Sequence, residues 1–217
     1  MLVVGNGPLR TSVSNILCLG AHGDDIELGC GASVRKLVEA NPSVHVDWIV
    51  LSATAARAQE ARVAAEWFLR LAKAPRVMVE QFRERYFHFL PELKEYFDRL
   101  GASMRPDLVF THHREDLHQD HRTVAELTWN TFRDHLILEY EIPKYDGDLG
   151  RPNVFVELDL PASKEKVQAI LQCFPSQADK HWFSEETMMA ILRLRGIESK
   201  APGGYAEAFH ARKLVLA

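Results

Sequence analysis

Cysteine is scarce in this chain of 217 residues. Cys18, Cys30 and Cys173 form no C-x-x-C pair, which argues against a disulfide framework and against a thiolate zinc site. A metal ion here has to be held by nitrogen and oxygen. Long hydrophobic runs are missing too: no apolar stretch approaches the length that spans a bilayer, and the start, MLVVGNGPLRTSVSN, lacks a charged leader, an apolar run and a small-residue cleavage site. The expectation is a soluble, cytoplasmic protein. Lys and Arg nowhere form a block interleaved with aromatics, and a formal charge of -4 is too small for a polyanion-binding surface, so nucleic acid is not expected as a partner. A dinucleotide fingerprint is absent, because Gly5-Asn6-Gly7 precedes the first strand pattern and Gly29-Cys30-Gly31 lacks the third glycine.

What is present is an alternation. A hydrophobic content of 47% in this length suits one core, and no repeat or linker divides the chain, so residues 1–217 are expected to form a single domain. Short β-rich runs at 16–19, 44–51, 106–111, 136–140 and 154–158 alternate with helical patterns at 27–40, 55–74, 91–100, 123–132, 163–173 and 184–195. This order predicts an α/β protein with a mostly parallel central sheet and helices on both faces. The ending GGYAEAFHARKLVL carries apolar residues that favour packing back onto the core.

Two segments carry candidate chemistry. AHGDDIELGCG stands between the first strand and the first helix, where open α/β sheets place ligands, and puts His22, Asp24 and Asp25 within four residues. Helix capping is the alternative reading for either Asp. HHREDLHQDHR follows the strand ending at Phe110 and opens onto the same sheet edge; His118 and His121 share a face if the turn is helical. Asp120 can accept the second N–H of a histidine. Catalytic zinc sites use three protein ligands, so these five candidates leave groups free for acid–base work. Spacing decides neither which Asp ligates nor which hydrolysis results.

AHGDDIELGCG resembles the A-H-P-D-D motif of the PIG-L (LmbE-like) deacetylases, and LHQDH resembles their H-x-D-H motif, both in the family's order. The resemblance implies a Rossmann-like fold and a zinc-dependent hydrolase that removes an N-acyl group, foremost N-acetyl, from an amino sugar in a glycoside, sugar nucleotide or glycolipid precursor. A small N-acylated amino-sugar substrate is the implied partner, and a homo-oligomer is compatible with it. The family pattern makes His22, Asp25 and His121 the Zn2+ ligands, with Fe2+ as an alternative ion, and Asp24 the general base. His118 assists at the tetrahedral intermediate and protonates the leaving amine, with Asp120 orienting it; Arg57 and Glu60 match an R-x-x-E region that touches substrate, an exposed local ion pair being the other reading. Gly23 departs from the family's proline and leaves that loop less rigid. A metal-dependent hydrolase of another amide or ester, and an idle metal- or glycan-binding module, are the alternatives.

Other features are expected to be ordinary. His112 and His113 are assigned to the pocket mouth or solvent, and Glu115 and Asp116 to a solvated loop. The aromatics of 86–89 and 181–183 are assigned to packing in preference to a sugar-stacking wall. His45, His88, His135, His181 and His210 are read as structural.

Overall fold

The structure, a computed structural model, describes residues 13–214. Residues 5–8, weighed above for nucleotide binding, lie outside the described residues. In chain order the elements are β1 (Asn15–Gly20), α1 (Asp25–Ala40), β2 (His45–Val50), α2 (Ala55–Phe68), β3 (Arg76–Val79), α3 (Pro91–Ser103), β4 (Leu108–His112) and α4 (Gln119–Thr131). They continue with β5 (Leu136–Tyr140), β6 (Val154–Leu158), α5 (Leu160–Cys173), α6 (Glu185–Ser199) and β7 (Tyr205–Ala211). The strands form one sheet in the order β3-β2-β1-β4-β5-β7-β6.

The pairs from β3 through β5 are all parallel. Strands in such a sheet are covered on both faces, which is why β1 reads as an unbroken apolar run instead of an alternation. Ile16 and Cys18 join a core shared with α1, α2, α5 and α6, whereas Leu17 and Leu19 face the second core built by α3 and α4. From β1 the chain winds outward through β2 and β3, returns to β4 at the side of β1, and continues outward to β5. The strand order therefore reverses between β1 and β4, and the crevice at their carboxyl ends is where such sheets bind ligands.

Several boundaries differ from the sequence expectation. Helix α2 stops at Phe68, well short of residue 74, and the chain then forms the edge strand β3 after Pro75. Three half-buried residues after an exposed arginine give too weak a pattern to announce a strand. Helix α4 starts at Gln119 because His118 caps it, its Nδ1 accepting the Asp120 N–H at 3.3 Å. The ordered C-terminal stretch is strand β7, antiparallel to both β5 and β6. Among the described residues no helix is long and apolar enough to cross a membrane.

Candidate metal and catalytic centre

The turn after β1 carries His22, Gly23 and Asp24, and Asp25 opens α1. Asp24 occupies the N-cap position but makes no capping bond; its Oδ1 instead accepts from Arg57 Nη2 at 2.6 Å. Asp25 turns back across the same turn, and its Oδ2 accepts the His22 N–H at 2.6 Å. Gly23 has no residue tightly against it: an added Cβ would lie 3.5 Å from the Arg57 carbonyl oxygen and 3.8 Å from Ala61.

The second loop leaves β4 beside β1. Asp116 accepts the His118 N–H at 2.7 Å through Oδ1, while its Oδ2 pairs with His121 Nδ1 at 2.9 Å and Lys144 Nζ at 3.0 Å. Asp120 Oδ2 accepts the Arg85 N–H at 2.6 Å and lies 3.2 Å from His22 Nε2; Oδ1 takes the Phe87 N–H at 3.4 Å. Arg85 sits at φ 69, a left-handed conformation rare for a residue with a side chain. Two histidines thus have one nitrogen committed to a carboxylate and the other turned inward, the usual support of histidine metal ligands.

The inward atoms converge. His22 Nδ1 is 3.2 Å from His121 Nε2 and 3.4 Å from Asp25 Oδ2, and His121 Nε2 is 3.6 Å from Asp25 Oδ2. A tetrahedral ion with bonds of about 2.0–2.2 Å separates its ligand atoms by about 3.3–3.6 Å, so these three residues fit a divalent cation. His118 is near enough to group with His22 and His121, and His112 with Asp25 and His121.

Electrostatics prepare the same set. Burial pushes the His22 imidazole down, but hydrogen bonds to Asp120 and Asp25 and the Asp25 charge outweigh it, and its pKa is raised to about 10. Burial and His112 lower His121 to about 3 against the pull of Asp25 and Asp116, which leaves a neutral ring. Burial would raise the Asp25 pKa, yet the surrounding His121, His112 and His22 side chains hold it well below the usual carboxylate range. Its neighbour goes the other way: burial raises Asp24, with Arg57 opposing and Asp25 adding to the rise. Adjacent carboxylates with opposite shifts are suited to different tasks. His118 is pushed down by burial and by the His22 charge.

All the residues singled out by sequence lie at this crevice or on the helix beside it, with some partners changed. The Asp120 carboxylate serves His22, and only its backbone N–H reaches His118. Arg57 contacts Asp24, whereas both Glu60 oxygens are taken by Ser176, through its N–H at 3.0 Å and its hydroxyl at 2.6 Å. Arg57 and Glu60 therefore form no ion pair with each other. The solvent placement of His112, His113 and Asp116 is corrected, since all are buried at the end of a central strand. Phe87 is core as expected, but Tyr86 and Phe89 are exposed. An acidic residue in a charged loop carries no periodicity that would have marked Asp116 as the partner of His121.

Residues 17–132 match the PIG-L family, described as GlcNAc-PI de-N-acetylase. The chain belongs to the PIG-L family. A relative, the uncharacterized deacetylase YaiS of Escherichia coli strain K12, is 29% identical over 144 residues, covering 59% of this chain and 74% of YaiS. N,N'-diacetylchitobiose deacetylase from Pyrococcus horikoshii, solved with an inhibitor, superposes with a TM-score of 0.68 at 18% identity, over 93% of this chain and 84% of its own. GalB, the 4-carboxy-2-hydroxymuconate hydratase of Pseudomonas putida KT2440, gives 0.67 at 18% identity, over 94% of this chain and 98% of its own. At these identities the likeness is one of fold, and the PIG-L fold thus hosts more than one reaction.

Proposed function

We propose that this chain is a zinc-dependent N-deacetylase, an amidohydrolase acting on the acetamido group of an amino sugar in a glycoside, sugar nucleotide or glycolipid precursor. The observation that carries the reading is the convergence of His22 Nδ1, Asp25 Oδ2 and His121 Nε2 within 3.2–3.6 Å, with Asp24 beside them at a raised pKa. His22, Asp25 and His121 would hold the ion. Zinc, when bound, lowers the pKa of water to about 7 and polarises an amide carbonyl.

Asp24 is the base that takes the water proton. Its raised pKa brings it nearer the operating range, and Arg57 fixes the direction of its carboxylate. His118 Nδ1 accepts the Asp120 N–H, so the neutral ring carries its hydrogen on Nε2 and donates it to the carbonyl oxygen as negative charge develops. Burial and the His22 charge lower the His118 pKa, which favours this neutral, hydrogen-bond-donating form. The proton that reaches the departing nitrogen is then the one Asp24 removed from water. Asp120 and Asp116 are positioning residues for His22 and His121.

The test is acetate release from a panel of N-acetylated sugars by metal-loaded, chelator-treated and Asp24→Asn protein. Release by the first alone supports the reading. Absence of acetate from the whole panel, or equal release after chelation, sinks it.

A further inference from the structure

We propose that His112 is a positioning residue that holds the turn bearing His22 and Asp25 at the end of β1 and packs the His121 ring against it, an inference that rests on the metal reading above. His112 ends β4 and is fully buried. Its Nε2 accepts the Ala21 N–H at 3.0 Å, abuts Asp25 Oδ2 at 3.1 Å and lies 3.4 Å from the Tyr140 hydroxyl. That hydroxyl in turn donates to the Leu19 carbonyl at 2.6 Å. The ring lies flat over His121, with centroids 3.9 Å apart and planes 20° from parallel.

The consequences follow from one nitrogen. Because the Ala21 amide hydrogen occupies the Nε2 lone pair, His112 is withdrawn from ligation although it stands within reach of the same ion as Asp25 and His121. Ala21 directly precedes His22, so the bond holds the turn that carries one ligand while the nitrogen walls off the carboxylate of a second. The ring face limits the tilt of the third, whose edge Asp116 already fixes. Removing the nitrogen leaves the buried Ala21 N–H without an acceptor and lets the turn relax.

Zn2+ affinity is measured by competition with a chromophoric chelator, alongside thermal melts of the metal-free proteins. His112→Phe keeps the ring and loses the nitrogen, and is expected to weaken Zn2+ binding roughly 10- to 100-fold while the metal-free chain stays folded. His112→Gln, which can place an acceptor near Nε2, is expected to recover most of the affinity; His112→Asn, one bond shorter, is not. If the Phe variant does not fold, the Gln and Asn pair decides. Folded His112→Phe with wild-type affinity, or Gln and Asn variants that bind alike, overturns the proposal. So does loss as complete as that of His121→Ala, which would make His112 a ligand. Wild-type protein that binds no Zn2+ overturns the metal reading itself and is recognisable before any variant is made.

Discussion

Lys166→Met tests the device that braces α1, the helix that presents Asp25. Lys166 and Glu207 are a buried pair 2.5 Å apart. Lys166 Nζ also donates to the Leu28 carbonyl at 2.6 Å. Glu207 accepts the Ala32 N–H at 3.0 Å, the Ser33 N–H at 2.7 Å and the Ser33 hydroxyl at 2.5 Å. Residues 28 and 32 are the pair that a regular helix would bond to each other, so the two side chains engage α1 from outside at its second and third turns. Breaking a buried ion pair from one side costs about 3–5 kcal/mol, out of a total stability of about 5–15 kcal/mol. The two sides are unequal here. Lys166→Met leaves Glu207 with three donors and belongs at the lower end of that range. Glu207→Leu strands the ammonium with one carbonyl and frees three donors, so it belongs at the upper end. The double variant recovers part of the loss, since neither charge is left alone. Urea unfolding followed by circular dichroism gives the three values, with unchanged m-values showing that the native and unfolded states stay comparable. Single variants that each lose under about 1 kcal/mol, or a Lys166→Met loss exceeding that of Glu207→Leu, would refute the reasoning.

Other outcomes follow from the site. Asp25→Asn and His121→Ala should lose zinc, whereas Asp24→Asn should keep it and drop kcat by about 100-fold or more; the reverse pattern would exchange the two aspartates. Because the free His22 ring has its pKa raised to about 10, binding an ion must expel a proton, so apparent zinc affinity should climb about tenfold per unit from pH 6 to pH 9. A flat profile in calorimetric competition would contradict that. In the metal-free protein the same raised pKa contributes stability that is full below His22's unfolded value of 6.5 and is lost as pH rises towards about 10, which melts in the presence of chelator can follow. Gly23→Ala meets only ordinary contacts, so it should retain zinc and stabilise the fold by about 0.4–1 kcal/mol in urea unfolding; loss of metal would show that the turn needs glycine.

Local pattern was enough to read the alternation of strands and helices, since each periodicity reflects how a segment meets a core, and each cluster was placed by the strand before it. AHGDDIELGCG and LHQDH were therefore legible as chemistry at one sheet edge. What each polar group touches was not, because partners are set by strand order. Asp120 serves His22, and His112 is buried between β1 and β5, because β4 lies beside β1 although some 90 residues separate the contacting pairs, as in Ala21 with His112 at a separation of 91. Strand β7 is the counterpart case: YAEAFHA becomes a strand by insertion between β5 and β6, with Glu207 directed to α1, a pairing no local signal encodes. Short-range sequence decides which groups can stand at the crevice; long-range packing decides which nitrogen or oxygen each one has left to offer.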